Sequence, residues 1–176
     1  MEYINKKPII YVLSGKAKSG KNEVANMIEK YYNNKKCIQI SFGYYLKEYI
    51  KNITNWDGLE STKPRDLLQS LGIDLIKNKI NDKLLINRVI DDIKVYSYFF
   101  DVIIVTDARL KDEVNSLKEN FDCITIRINN NKTSPLTLEQ QNHITEKDLD
   151  EYENYDYIVL NDEFIESKIL DILKVN

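Results

Sequence analysis

The stretch PIIYVLSGKAKSGKNEVANMIEKYY, residues 8–32, decides the fold. It opens with the continuous apolar run PIIYVL, which predicts a strand buried on both faces. It closes with KNEVANMIEKYY, in which Val24, Met27, Ile28 and Tyr31 recur at helical spacing and predict one apolar helix face. A buried strand followed by an amphipathic helix is the repeating unit of parallel sheets that are covered by helices.

Between this strand and this helix lies GKAKSGKN, residues 15–22, with the spacing Gly15-x-x-x-x-Gly20-Lys21 of a phosphate-binding loop. In such a loop, glycines let backbone N–H groups converge on one anion. The next helix adds its positive N-terminus, and the lysine neutralises the β- and γ-phosphates of a nucleotide. The alternative is a lysine-rich turn that holds two of only five glycines. The position between a buried strand and an amphipathic helix favours phosphate binding.

Asn22 departs from the usual pattern, because the residue after the loop lysine is ordinarily a Ser or Thr that holds Mg²⁺. An amide oxygen is a weaker ligand, but Mg²⁺ keeps several waters and relies on substrate phosphates. We therefore expect nucleotide binding, with Mg²⁺ held by phosphates, water, Asn22 and an acid from elsewhere. Asp107 is the candidate acid, since it ends the apolar run DVIIVTD and open α/β sheets bind ligands at the carboxyl ends of their strands. Alternatively, Asp107 starts a turn or caps the helix predicted for ARLKDEV.

The rest of the chain alternates strand-like and helix-like segments. Further strands are predicted for CIQISF, DVIIVTD, CITIRI and YDYIVLND, and helices for GYYLKEYIKNI, PRDLLQSLGIDLIKNKI, DKLLINRVIDDIKVY, LKDEVNSLKEN and EFIESKILDILKVN. This alternation predicts an α/β, three-layer P-loop fold with a parallel five-stranded sheet and helices on both faces. Residues 1–176 are predicted to form one domain, in which the polar segment 129–147 is a lid.

Composition narrows the classes of function. The net charge of −3 favours neither a nucleic-acid partner nor a membrane surface. No 18-residue apolar run and no signal-peptide core are present, and Cys37 and Cys123 each lie in an apolar run, so we expect reduced thiols in a cytoplasmic protein. One histidine and two such cysteines supply no zinc set, and the chain contains neither a G-x-S-x-G elbow nor a guanine-reading N-K-x-D.

Five segments together resemble a known family: LSGKAKSGKNEVA, SFGYYLKEYI, RDLLQSLGID, VIIVTDARLKDEV and NHITEKDL. In this order they are similar to deoxynucleoside monophosphate kinases of bacteriophage type. These belong to the P-loop nucleoside monophosphate kinase-like group, with dephospho-CoA kinase and phosphomevalonate kinase. The resemblance runs from about Pro8 to the last strand. The family usually follows its loop lysine with an Asp-Thr pair, whereas this chain has Asn22-Glu23 and so lacks the hydroxyl ligand.

The resemblance implies roles for particular residues. The phosphates of ATP would be held by Gly15, Lys16, Ala17, Lys18, Ser19, Gly20, Lys21, Asn22 and Glu23. The acceptor nucleotide would be bound by Ser41, Phe42, Lys47, Arg65, Gln69, Arg109, Glu113 and His143. Catalysis would fall to Lys21, Asp107, Arg109 and Arg127, since phosphoryl transfer between two anions requires cations from more than one direction.

Some of these roles have structural alternatives. Arg65 is equally consistent with a charge interaction on its own helix, and Arg127 with a carboxylate partner across the sheet. His143 lies in a polar segment where a solvated histidine is common, and TEKDL reads as a capping box that begins with Thr145.

The resemblance implies an ATP- and Mg²⁺-dependent phosphotransferase that converts a (deoxy)nucleoside monophosphate to its diphosphate. Two alternatives stay open: another P-loop small-molecule kinase such as dephospho-CoA kinase, and a nucleotide-binding protein without turnover. The expected partner is a small-molecule substrate. A homodimer paired through the aromatic cluster YSYFF, residues 96–100, is a further expectation, with burial of that cluster in the core as the alternative.

Overall fold

The computed structural model describes residues 3–131 and 136–175. The strands are β1 (Ile9–Ser14), β2 (Cys37–Ile40), β3 (Val102–Ala108), β4 (Ile124–Asn129) and β5 (Tyr157–Leu160). The α-helices are α1 (Lys21–Tyr31), α2 (Gly43–Ile53), α3 (Arg65–Ser70), α4 (Leu84–Tyr96), α5 (Lys111–Asn120), α6 (Leu138–Asn142), α7 (Ile144–Lys147) and α8 (Ile165–Val175). Within the described ranges, no helix combines the length and apolar character needed to cross a membrane.

The strands form one parallel sheet in the order β2-β3-β1-β4-β5, which confirms the predicted α/β architecture. Because all strands run in the same direction, their carboxyl ends meet at one edge of the sheet. The loop after β1 and the loop after β3 therefore lie side by side at that edge, since β1 and β3 are neighbours. This arrangement brings residues 15–20 close to Asp107 and Arg109, which lie far along the chain.

Alternation along each strand divides the core into two layers. In β1, Tyr11 and Leu13 face one side of the sheet, where α1 and α8 cover them, and Ile10 and Val12 face the other, where α4 and α5 cover them. A central strand with apolar residues on both faces requires helices on both sides. The continuous apolar run at the start of the chain thus explains why the sheet is enclosed.

Two predicted elements differ from the structure. The segment 64–80, expected to be α-helical with Gly72 as a candidate break or cap, begins as α3 and continues as a π-helix from Leu71 to Ile80. Gly72 lies at its start, where a Cβ would approach a Leu46 methyl group to 3.1 Å, so the helix packs closely on α2. In the predicted lid, residues 132–135 lie outside the described residues. The described part of the lid contains α6 and α7.

Candidate active site

A cavity of about 850 Å³ opens at the carboxyl edge of the sheet. Its walls come from the loop after β1, the start of α2, α3 with the π-helix, the loop after β3, and the segment that holds α6 and α7. Of the sequence-predicted site residues, those that line it are Ala17, Lys18, Ser19, Gly20, Lys21, Asn22, Glu23, Ser41, Phe42, Lys47, Arg65, Gln69, Asp107, Arg109 and Glu113. The fold therefore brings the predicted donor and acceptor residues into one chamber.

The loop after β1 has the shape of an anion cradle. A Cβ on Gly15 would overlap the Ser19 hydroxyl and the Ile128 carbonyl oxygen, and Gly20 has φ +103°, a left-handed conformation that favours glycine. Ser19 Oγ is buried and has no hydrogen-bond partner among the described residues. A buried hydroxyl without a partner is costly, so this hydroxyl is suited to donate a hydrogen bond to a ligand oxygen.

Lys21 is buried at the floor of the cradle, with 7% of its surface exposed. Its Nζ donates to the backbone oxygens of Gly15 at 2.7 Å and Lys16 at 2.8 Å, which hold the ammonium under the loop. Burial, followed by the nearby Arg109 guanidinium, lowers the pKa of Lys21 to about 7, and the Asp107 and Glu146 carboxylates oppose this shift. A phosphate would supply the negative charge that restores the protonated form.

Asp107 connects the end of β3 to the acceptor side of the cavity. Its Oδ1 accepts the N–H of Phe42 at 2.8 Å, and its Oδ2 accepts that of Gly43 at 3.0 Å. The carboxylate thus caps the N-terminus of α2, where the helix dipole favours negative charge. The sequence analysis offered a cap on the following helix, α5, as the alternative role of Asp107. That alternative is wrong, because the capped helix is α2. Each oxygen retains a lone pair for a further ligand.

Arg109 and Glu113 occupy the loop after β3. Glu113 Oε2 accepts the backbone N–H groups of Arg109 at 2.7 Å and Leu110 at 3.0 Å, which fixes this loop at the start of α5. The Arg109 Nη1 donates to Glu146 on α7, and 28% of the Arg109 side chain stays exposed. Arg109 therefore reaches into the cavity from a backbone that is held in place by a buried acid.

Glu113 has an unusual titration. Burial raises the pKa of its carboxyl group to about 7; the N–H of Arg109 opposes this effect and the Asp107 charge adds to it. The folded chain therefore binds the proton of Glu113 more tightly than the unfolded chain does. Protonation of Glu113 stabilises the folded state in full below pH 4.5, and this contribution is lost as the pH rises through about 7.

We expect the unfolding free energy of the wild type, relative to Glu113→Gln, to fall by about 3 kcal/mol at most as the pH rises across this window. The amide keeps both backbone hydrogen bonds and does not titrate. Urea denaturation of both proteins across the window measures the difference. Glu119→Gln, an exposed change on the same helix, is expected to follow the wild type. Parallel curves for wild type and Glu113→Gln would contradict this prediction.

The acceptor wall combines cations with apolar surface. Lys47, Lys63 and Arg65 line it, and Lys63 Nζ and the Arg65 guanidinium both contact the Glu60 carboxylate. Arg65 therefore pairs with the 3₁₀ turn that precedes its helix, rather than with a partner on the helix itself. Gln69 Nε2 donates to Thr145 Oγ1 at 3.3 Å, which joins α3 to α7. The apolar surface comes from Phe42, Leu46, Leu68, Gly72, Ile73, Ile76, Leu85 and Ile86.

Four predicted site residues lie outside the residues that line the cavity: Gly15, Lys16, Arg127 and His143. Arg127 is buried behind the loop, where its guanidinium donates to Ser14 Oγ at 3.1 Å and pairs with Asp150 at 3.5 Å. These contacts favour the carboxylate-pairing interpretation over a catalytic one. His143 is the N-cap of α7 and accepts from the Thr145 N–H at 3.3 Å, so the helix does not begin with Thr145 as its cap.

Sequence reasoning missed Glu146 and Lys63. Glu146 is 6% exposed and contacts both the phosphate loop and Arg109. In the sequence it is an acid in a polar segment, which does not distinguish it from a surface residue. Its spacing after His143 was the available signal. Lys63 is one of many lysines in a lysine-rich chain, and only its convergence with Lys47 and Arg65 distinguishes it.

The family model for deoxynucleotide monophosphate kinase matches residues 33–169, which is most of the chain. The chain belongs to this family. The kinase is therefore a phosphotransferase that acts on nucleotides. The match begins after the phosphate loop, so the assignment of that loop depends on its own spacing and geometry. No curated protein matches the chain.

Solved structures share the fold of this kinase at low sequence identity. APS kinase CysC from Mycobacterium tuberculosis, in complex with AMPPNP and APS, aligns with a TM-score of 0.60 and 10% identity, over 96% of this chain and 97% of that one. Shikimate kinase from Aquifex aeolicus aligns with a TM-score of 0.52 and 16% identity, over 96% of this chain and 98% of that one. At such identities the comparison establishes the P-loop kinase fold.

Proposed function

We propose that this kinase transfers the γ-phosphoryl group of ATP to a deoxynucleoside monophosphate and releases ADP and the diphosphate. The observation that carries the proposal is that one cavity is lined both by the phosphate loop and by Arg109, Lys47 and Arg65. An enzyme that joins two anionic substrates needs two separate sets of cations that face one space. Both sets are present here.

On the donor side, the loop and the start of α1 would bind the phosphates of ATP. Ser19 Oγ has no hydrogen-bond partner among the described residues, and Lys21 lies beneath the loop. The first residues of α1 line the cavity, and the first N–H groups of a helix have no partner within it. The AMPPNP complex of the M. tuberculosis APS kinase, which has the same fold, supports a nucleoside triphosphate as donor.

On the acceptor side, the monophosphate would lie between Arg109 and the Lys47–Arg65 wall. The apolar surface of Phe42, Leu68 and Ile73 suits the faces of a base, and Gln69 offers an amide to its polar edge. The guanidinium of Arg109 would bind two phosphate oxygens at once, a geometry that lysine cannot reproduce.

The residues present also fit Mg²⁺. Asn22 and Asp107 both line the cavity and offer an amide oxygen and a carboxylate with free lone pairs. Mg²⁺ usually takes one or two protein oxygens and completes its shell with phosphates and water. When bound, the ion would neutralise charge between the β- and γ-phosphates. Asn22 and Asp107 would hold it, while Lys21 and Arg109 orient the phosphates for in-line attack.

A cytoplasmic location and a homodimer stay predictions. In the aromatic cluster, Tyr96 and Phe100 pack against the core, whereas Tyr98 and Phe99 are 40% and 45% exposed. Half of the aromatic side chains thus belong to the core. The other two are partly exposed, with Phe99 packed edge-on against Tyr3, and could contact a second copy.

The test is ADP release from ATP and Mg²⁺ in a coupled assay against deoxynucleoside monophosphates, ribonucleoside monophosphates and dephospho-CoA. Turnover with one or a few deoxynucleotides, absent in Lys21→Ala, would establish the proposal and name the base. Turnover with dephospho-CoA as the only acceptor would overturn the choice of acceptor. ATP binding without turnover on any acceptor would overturn the reaction itself.

A further inference from the structure

The segment that contains α7 fastens two catalytic loops together. Three acids of this segment occupy alternate positions. Their contacts are with the phosphate loop, with Arg109 in the loop after β3, with the start of α5 and with Arg127 behind the phosphate loop. Glu146 contacts Ala17 and Arg109, Asp148 accepts the Lys111 N–H at 2.6 Å, and Asp150 pairs with Lys16 at 2.8 Å and with Arg127 at 3.5 Å. We name residues 146–150 the acidic strap.

Glu146 differs from the other acids of the acidic strap in two ways. It is buried, with 5% of its side chain exposed, whereas the Asp150 side chain is 38% exposed. It also joins functional groups of both loops: Oε2 accepts the Ala17 N–H at 2.9 Å, and Oε1 accepts from Arg109 Nη1. One carboxylate therefore spans the gap between the donor cradle and the acceptor arginine.

The geometry leaves Arg109 available for a substrate. Glu146 engages Nη1 of a guanidinium that has five N–H donors, so the others stay free for phosphate oxygens. An arginine side chain that is already held by a buried carboxylate loses less conformational entropy when it binds substrate. The Ala17 hydrogen bond fixes the rim of the phosphate loop to the same carboxylate, so the spacing between the two phosphates depends on this side chain.

We propose that Glu146 is a positioning residue, which sets the distance and orientation of Arg109 relative to the phosphate loop for phosphoryl transfer. The proposal rests on the proposed function, in which Arg109 binds the acceptor phosphate. Misplacement of a reacting group by about 1 Å can cost about 10²-fold in rate. Glu146 lines the cavity, and it would affect kcat through the placement of Arg109 and the phosphate loop.

The experiment is a double-mutant cycle with Glu146→Gln and Arg109→Ala, measured by steady-state initial rates with ATP varied at a saturating acceptor concentration. Glutamine keeps an oxygen that can accept the hydrogen bond from the Ala17 N–H, but it loses the negative charge that holds Arg109. We expect Glu146→Gln to lower kcat by about 10- to 100-fold, with the KM for ATP within about threefold of the wild type. In the Arg109→Ala background, the same change is expected to have no further effect, because Glu146 acts through Arg109.

Asp148→Asn is the matched control. It removes the same charge from the acidic strap. Because the hydrogen bond described for Asp148 is to a backbone N–H and not to Arg109, the kcat of this variant is expected to stay within about threefold of the wild type. Thermal unfolding of each variant would show that the comparison is made between folded proteins. Additive losses in the cycle would overturn the proposal, since a structural role lowers activity in both backgrounds. A rise in kcat or in phosphate affinity for Glu146→Gln would also overturn it, because Glu146 would then compete with substrate.

The outcomes separate this inference from the proposed function. If Arg109→Ala leaves activity unchanged, the acceptor role of Arg109 is wrong. If Arg109→Ala abolishes most activity while Glu146→Gln does not, the proposed function stands and the positioning role fails.

Discussion

Replacing Lys21 with alanine is expected to lower kcat by about 10³-fold or more, the largest effect of any single change in the cavity. The Nζ group lies buried beneath the loop, where low dielectric strengthens its interaction with phosphate. The pKa of Lys21 is about 7 in the nucleotide-free chain, so a bound phosphate is expected to favour the protonated, positively charged form. A coupled assay at saturating substrates measures the loss.

The control for Lys21→Ala is Lys30→Ala, which lies on the same helix with 83% of its side chain exposed. We expect it to match the wild type within about twofold. Because alanine also leaves the Gly15 and Lys16 carbonyl oxygens without a donor, thermal unfolding must show that the variant is folded. A folded Lys21→Ala variant with more than a tenth of the wild-type kcat would contradict the catalytic role of this lysine.

Replacing Arg109 with alanine is expected to lower kcat/KM for the acceptor by about 10²- to 10³-fold, while the KM for ATP changes little. The guanidinium reaches the cavity from the loop after β3, which lies beside the phosphate loop. Its loss removes bidentate binding of the acceptor phosphate and neutralisation of charge in the transition state. Initial rates over a matrix of both substrate concentrations separate the two KM values.

Arg88→Ala supplies the matched arginine control. Arg88 is exposed on α4, with its guanidinium 4.8 Å from the centre of the Tyr45 ring, and is not among the residues that line the cavity. Its removal is expected to leave kcat/KM within about twofold. Equal losses for both arginines would indicate a general effect of charge, and the specific role of Arg109 would be wrong.

The fold and the donor loop were predictable because their signals are local. In residues 8–32, burial of the strand, closure of the loop and the apolar face of α1 all depend on neighbours within a few positions. The acid at the end of β3 was predictable for the same reason, since an apolar run ends on Asp107. The family match confirmed the kinase, although that match does not include the loop.

The partners of charged residues could not be predicted in this way. Arg127 reads as a cation beside the site, but the pleat of β4 directs it behind the loop to Ser14 and Asp150. The local alternative for Asp107 was a cap on the helix that follows it, but Asp107 caps a helix that starts 64 residues earlier. Neither hydrophobic periodicity nor motif spacing specifies which side chains meet across the molecule.

By itself, the sequence determined the strand–loop–helix unit, the parallel sheet and the edge where ligands bind, since each follows from short-range patterns of burial and turn chemistry. The tertiary structure decided which acid controls that edge. Glu146 lies 129 residues from Ala17, in a segment with the composition of a solvated surface, and becomes a buried link when α7 packs over both loops. Such a pairing depends on the packing of distant elements, because a carboxylate is stable in the interior only where a cation and an N–H group meet it.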